Sequence, residues 1–488
     1  MKPKQIAIFI LITLAALAAV CYFFPRKGVK IGSTEINMPP LQEVLQQDSD
    51  VVQWPDTVAA DTTCYEPAPE TIATDALPHA GTGNDSVAAV AETPAVKAAD
   101  AEAAEKDTTV TPPATATADS TQLADTRVML ERFYAALAGT DTAAVRVVHY
   151  GDSQTEGDRI TMNLRQGLQQ ICGGGGVGLV PLHQTISMRT ITQTLTINGV
   201  KQTAQQGPKR YLAYGPKGRR RDNRIYGPMA QVALMDNNLC KDSEKVTVGL
   251  TQSRTGTTRP FTRIVVYGET DSTITLPDSA MSYTLELKRK GDIYGLSLET
   301  ETGVMVDNIP MRGCAGTIFT GIDRKMLAHY YKKSNTRLII MQFGGNVMPY
   351  THSRKDIAAY VEKIRRQIKY IRRCAPEADL LFIGPSDMLT TRNGLKTSYS
   401  LLPDMDTALL QMAVEEGAAY WSLFGAMGGK GGMKNWISKG LAGSDGVHFT
   451  RKGADFAGEM LTKWLLDGRQ EYLEKLQKEA EPEVEEEE

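Results

Sequence analysis

The chain has 488 residues, and its 54 Lys and Arg against 57 Asp and Glu leave a formal charge of −3. That balance gives no basic footprint for nucleic acid, and a local run such as Arg219-Arg220-Arg221 reads as a solvated loop. The six cysteines (Cys21, Cys64, Cys172, Cys240, Cys314 and Cys374) form no C-x-x-C pair and share no metal-ligand spacing with histidines, so the four beyond residue 120 read as small buried hydrophobes, with one bridge left open by an export route.

At the N-terminus, Lys2 and Lys4 precede an apolar run from Ile6 to Phe24 that only Thr13 interrupts, and Pro25-Arg26-Lys27 closes it. As a helix this run would rise roughly 28 Å, near the hydrocarbon thickness of a bilayer. A cleaved signal peptide is the alternative, with Ala16-Leu17-Ala18 as its site, but the apolar run continues past it. Residues 1–27 are therefore expected to be a membrane anchor. Basic residues flank both ends and do not fix its orientation; the long polar remainder favours the C-terminal side outside the cytoplasm. From 28 to 120 the chain is rich in Ala, Thr, Asp, Glu and Pro, too polar to offset the cost of ordering, and is expected to be a disordered linker. Such a linker has a span of roughly 50–60 Å.

Folded sequence is expected from 121. Val128, Leu130, Phe133, Tyr134 and Leu137 have helical spacing, Val145 to Tyr150 reads as a strand, and Ile160, Leu164, Leu168 and Ile171 predict a second helix ending at Gly173 to Gly176. Residues 185–308 change character. The alternating run Thr190 to Ile197 leads into Asn198-Gly199, a hairpin signal, and Thr262–Tyr267, Ser282–Leu287 and Ile293–Leu298 also read as strands. Over 309–466 strands and helices alternate again: strands at Arg337–Phe343, Leu380–Gly384 and Ala419–Leu423, helices at Ser353–Arg373, Met405–Glu416 and Thr450–Leu466. This rhythm predicts a parallel sheet with helices on both faces. Residues 467–488 are expected to be a charged acidic tail, a frayed solvated helix that ends in a disordered acidic stretch.

Four segments carry residues fit for chemistry. Gly151-Asp152-Ser153-Gln154 lies at a strand-to-helix turn, where a serine hydroxyl stands exposed above the sheet. Ser444-Asp445-Gly446-Val447-His448 precedes the final helix. A serine needs an imidazole to take its proton and a carboxylate to orient that imidazole, and Asp445 and His448 supply the pair. Phe343-Gly344-Gly345-Asn346 ends a strand, so the Asn346 amide is a candidate oxyanion donor on the ligand-binding edge of the sheet. Arg312-Gly313-Cys314-Ala315-Gly316-Thr317 offers glycine backbone N–H groups for the same purpose.

In this order the four blocks resemble the SGNH (GDSL-type) hydrolase superfamily, over about 145–465 apart from the β-rich insert. The Leu that often follows the first serine is Gln154 here, and the Asp that often follows the Asn is Val347. The insert between the first two blocks, the run His149 to Asp158 and the region Gly173 to Pro181 also resemble the peptidoglycan O-acetylesterases, which carry a carbohydrate-binding-like unit at this position. The resemblance implies a three-layer α/β/α fold with a parallel sheet plus an inserted β-rich domain. It implies Ser153, Asp445 and His448 as catalytic triad, and an oxyanion hole from the Ser153 and Gly316 N–H groups with Asn346; Gly313 is the alternative to Gly316. No cofactor or metal is implied. The expected function is removal of O-acetyl groups from an O-acylated envelope glycan through an acyl-serine. The protein would be tethered in the bacterial inner membrane with its catalytic domain in the periplasm. A glycan O-acetyltransferase with the same triad, served by an acyl-transfer partner in the membrane, is one alternative. A non-catalytic glycan-binding protein, in which Tyr211, Tyr214 and Tyr226 would stack on sugars, is another. His79, His149, His183, His329 and His352 carry no partner pattern.

Overall fold

The computed structural model describes residues 29–31, 34–36, 125–203, 209–213, 224–235, 245–253, 258–287 and 291–480. The expected anchor (1–27) lies outside these residues. Among the described residues no helix is long and apolar enough to cross a membrane.

Five parallel strands form the centre: β1 (Ala144–Gly151), β2 (Gly303–Pro310), β3 (Thr336–Gln342), β4 (Asp379–Ile383) and β5 (Ala419–Trp421), in the order β2-β1-β3-β4-β5. Their near-continuous apolar sequences suit a sheet covered on both faces. Because side chains alternate along a strand, Val145, Val147, Val304, Val306, Leu338, Ile340 and Leu381 face one layer, with α1 (Glu131–Leu137), α2 (Thr161–Cys172) and α6 (Arg451–Ala480). Val148, Tyr150, Ile309, Ile339, Met341 and Phe382 face the other, with α3 (Arg324–Lys333), α4 (Arg354–Cys374) and α5 (Leu402–Glu415). This is the three-layer α/β/α arrangement expected from the sequence. In α4 the apolar stripe Ile357, Tyr360, Ile364, Ile368 and Ile371 is buried, and a Ser353–Asp356 capping box starts the helix.

Between α2 and β2 two antiparallel sheets pack face to face. One has the order Ser272–Ala280, Phe261–Gly268, Gly291–Glu299, Gln231–Met235, Lys209–Leu212, with Gly178–Val180 also paired to Gly291–Glu299; the other has the order Ser282–Leu287, Val246–Gln252, Ile191–Ile197, Val200–Lys201. Their shared core includes Leu195, Val248, Leu250, Ile264, Leu285 and Leu296. Asn198 and Gly199 have φ of 51° and 80°, the positive values that a two-residue hairpin turn of this sequence requires.

The expected limits of the insert, 185 and 308, differ from the observed strands at both ends. Gly178–Val180 already belongs to an antiparallel sheet, and all of Gly303–Pro310 pairs in parallel with β1. Three residues after a glycine run show no period, and the β2 sequence does not reveal which sheet it joins. The Gly173–Gly176 run does end α2, but its glycines also admit close backbone approach. A Cβ on Gly175 would stand 1.9 Å from Pro260 O, and one on Gly176 2.0 Å from Leu298 O.

The insert shares buried surface with the catalytic layer. Leu179, Met229, Val232, Tyr267 and Tyr294 join the core under α3 and α4. Arg146 of β1, 2% exposed, holds Asp307 of β2 (Nη1–Oδ1 2.6 Å) and Glu299 of the insert. Asp307 also accepts the Leu179 N–H at 2.8 Å and the Tyr330 hydroxyl, and Arg263 reaches Glu299 at 2.9 Å. A charge withdrawn from water persists only when paired and hydrogen-bonded, and here the pairing spans the two regions.

Two further findings concern the polar segments. Within the expected linker, Val29–Ile31 pairs antiparallel with Thr34–Ile36; the apolar alternation there is too short to stand out from its polar surroundings. The expected tail is helical through Ala480, because Tyr472 packs on Tyr134 (ring centroids 6.0 Å apart), Glu471 pairs with Arg127 at 2.9 Å and Lys475 with Glu131 at 2.8 Å.

Candidate active site

The end of β1 delivers Ser153. Asp152 breaks from the strand and caps the turn Ser153–Asp158, its Oδ1 accepting the Gln154 N–H at 2.9 Å. The turn is anchored below by Asp158, which is fully buried, pairs with Arg165 at 2.6 Å and accepts the Thr190 hydroxyl at 2.6 Å. A buried polar row supports it from β1: His149 meets Gln342 at 3.0 Å and Thr161 at 2.9 Å, Thr161 donates to Asn308 at 2.8 Å, and Asn308 donates to Thr155 O at 3.0 Å. Burial lowers the His149 pKa to about 4, so this neutral ring is part of the scaffold. His329 pairs with Asp271 at 2.7 Å, and His79 lies outside the described residues.

The loop before α6 delivers the base. Asp445 Oδ1 accepts the N–H groups of Val447 (2.9 Å) and His448 (3.1 Å), while Oδ2 lies 2.8 Å from His448 Nδ1. His448 Nε2 in turn lies 2.9 Å from Ser153 Oγ. The structure thus joins the three expected triad residues in one hydrogen-bonded chain, nucleophile to imidazole to carboxylate. The side chains of His448 and Asp445 remain 42% and 46% exposed. Partial burial alone would raise the Asp445 pKa, but the bonds from the His448 ring and the two N–H groups outweigh it and hold the carboxyl down to about 2.

On the oxyanion side the two candidate glycines are held differently. Among the described residues the N–H groups of Ser153 and Gly313 have no protein acceptor, whereas the Gly316 N–H is directed at Cys314 Sγ, 3.3 Å away. A Cβ on Gly316 would stand 2.6 Å from the Phe343 ring, so glycine is needed there for packing. Asn346 is brought beside the serine as expected, but its Nδ2 donates to Asp152 Oδ2 at 3.2 Å and to Cys314 O at 3.1 Å. An oxyanion would therefore compete with one of these acceptors for an amide hydrogen. Burial pushes the Asp152 carboxyl up to about 6, against the pull of the Gln154 N–H and of His448.

Sequence reasoning treated Asp152 as part of a motif and missed its bond to Asn346. It also missed Arg159 and noticed Gln154 only as a departure from Leu. Both reach the His448 loop.

No family model matches the chain, and no curated relative matches it. Solved structures do match. One titled as a peptidoglycan O-acetylesterase in action has a TM-score of 0.56, is 20% identical, and is covered over 96% of its length by 70% of this chain. The periplasmic domain of a lipopolysaccharide acetyltransferase from Salmonella ser. Paratyphi A (14% identity, 34% of this chain, 72% of that one, TM-score 0.22) and an acetyl xylan esterase (12%, 34%, 80%, 0.23) also match, over a smaller share of the chain. The first likeness, at 20% identity over 70% of this chain, is one of fold.

Proposed function

We propose that this chain is a serine esterase that removes O-acetyl groups from an envelope glycan, with peptidoglycan as the first substrate to test. The observation that carries the reading is the continuous chain from Ser153 Oγ through His448 to Asp445 (2.9 and 2.8 Å), set in the fold shared with a peptidoglycan O-acetylesterase. Ser153 Oγ attacks the acetyl carbonyl carbon while His448 Nε2 takes the hydroxyl proton. The Ser153 and Gly313 N–H groups receive the oxyanion, joined by one Asn346 amide hydrogen that leaves its ground-state acceptor. Collapse breaks the bond to the sugar oxygen, which takes the proton from His448 and leaves acetyl-Ser153. Water, deprotonated by His448, attacks this ester; acetate departs and Ser153 regains its proton. Asp445 keeps the imidazole in the tautomer that can accept at Nε2.

In the same reading the apolar run at Ile6 to Phe24 tethers the catalytic region on the outer side of the inner membrane, within reach of the cell wall. The test is to incubate the full chain with O-acetylated peptidoglycan and with other acetylated polysaccharides. Acetate release that Ser153→Ala abolishes supports the esterase. Acetyl groups moved onto an added oligosaccharide point to a transferase instead, and the absence of both release and transfer favours the non-catalytic protein.

A further inference from the structure

The base loop is packed into the core at its two ends, by Leu441, Ala442 and Phe449, but not at the His448 side chain, which is 42% exposed. Its backbone is tied mainly to itself and to a neighbouring hairpin: Gly443 N–H donates to His448 O at 2.8 Å, Thr450 N–H to Leu441 O at 3.0 Å and Leu389 N–H to Gly446 O at 2.8 Å. None of these bonds fixes His448 relative to Ser153, yet in-line proton transfer depends on that relation to within a fraction of an ångström.

Two side chains from the serine's own turn close the gap. Gln154, 7% exposed, donates from Nε2 to Val447 O at 2.6 Å and accepts the Phe449 N–H at Oε1 at 3.4 Å. Those two groups belong to the peptide units on either side of the His448 Cα, so a single planar amide spans the residue. Arg159 donates from Nη2 to Ser153 O at 2.6 Å, from Nη1 to Phe449 O at 3.2 Å and from Nε to Glu156 O at 3.0 Å. Its guanidinium, a planar fork, therefore joins the carbonyl of the nucleophile to that of the residue after the base.

We infer that Gln154 and Arg159 are positioning residues, a polar clasp that sets His448 against Ser153. The clasp deepens the esterase reading and rests on it. It also gives a physical reason for the Gln154 departure: Leu can only pack against the loop, whereas the amide fixes the orientation of both His448 peptide groups.

The test uses the full chain and compares Gln154→Leu, Gln154→Glu and Arg159→Met with wild type. A soluble acetyl ester gives kcat and KM. Phosphonylation of Ser153 by a small fluorophosphonate gives serine reactivity without any acyl substrate, and thermal melting reports folding. The expected result for Gln154→Leu is a kcat lower by about 10- to 100-fold, KM within about twofold, and a parallel loss in phosphonylation rate. Arg159→Met should behave in the same way. Gln154→Glu keeps the size and the acceptor for Phe449 N–H but loses the donor to Val447 O, and should fall between Leu and wild type. Should Gln154→Leu fail to fold, the isosteric Glu variant carries the comparison. Folded variants whose kcat and phosphonylation rates stay within twofold of wild type overturn the clasp, as does a lower melting temperature with both rates unchanged. If wild type is phosphonylated but releases no acetate from any ester, the esterase reading fails while the clasp is still judged on phosphonylation.

Discussion

The two segments that meet at the site, the turn after β1 and the loop before α6, each carry an aspartate, and the two carboxylates are held in opposite ways. Asp152 is 6% exposed and pushed up to about 6 by burial; the Asp445 side chain is 46% exposed and held down to about 2. Depth alone does not decide the outcome. Asp445 collects three bonds from its own loop, two of them from the residue it orients, while Asp152 receives one backbone N–H and one side-chain amide in surroundings that withhold water. The pairing of carboxylate and imidazole is thus local, made within the four residues Asp445 to His448. The nucleophile turn depends on Arg165, Thr190, Asn308 and Asn346, which other segments bring to it.

The sharpest way to break this comparison is at the triad. Ser153→Ala and His448→Ala should each lower kcat by on the order of 10⁵–10⁶, the double variant no further, because nucleophile and base act as one unit. Acetate release at the wild-type rate from folded Ser153→Ala would remove the serine mechanism. Asp445→Asn should cost less, about 10³–10⁴ in kcat: the ring keeps its backbone support but loses the carboxylate that selects its tautomer. Asn346→Ala should cost about 10²–10³. Single-turnover acetylation rates separate these two from effects on substrate binding. If Asn346→Ala left kcat unchanged, the oxyanion would be served by backbone groups alone, and the Asn346 bonds to Asp152 and Cys314 would be purely structural.

What the sequence discloses follows the same division. Asp445-x-x-His448 is a bond pattern between near neighbours and is readable from spacing, as is a serine directly after the buried run Val145 to Tyr150. The parallel layers were legible because strand and helix periods alternate over long segments. The contacts of Gln154 and Arg159 with Val447 and Phe449 were not, since about 290 residues intervene and no period links them. The Gly316 N–H directed at Cys314 Sγ and the Phe343 ring against its Cα are likewise local contacts that a glycine count does not reveal. The strand Gly303–Pro310 escaped the catalytic sheet in the sequence reading because its own residues do not specify a partner; its register with β1 does, as does the Asp307 bond to Arg146.

The smallest expected effect tests the two carboxylates directly, through the pH dependence of stability. Asp152 has a folded pKa raised from 3.8 to about 6, so folding favours its protonated form. Its contribution is most favourable below about pH 4 and is lost as pH rises through about 6. Asp445 is lowered from 3.8 to about 2, so its contribution is present above about pH 4 and is lost as pH falls through about 2. Denaturant unfolding of wild type and of Asp152→Asn should therefore converge or diverge in opposite directions from those of wild type and Asp445→Asn. Between pH 4 and pH 7 wild type should lose on the order of 3 kcal/mol relative to Asp152→Asn, the linkage value of a shift of this size. The Asp445→Asn difference should stay constant over that range and shrink only below it. Asp152→Asn also trades an acceptor facing Asn346 for a donor, which should lower kcat by about tenfold, the worth of one misdirected hydrogen bond. A difference between wild type and Asp152→Asn that stays flat from pH 4 to pH 7 would mean that water or a rearranged Asn346 solvates the carboxylate, and the contrast between the two aspartates would then lie in their bonds alone.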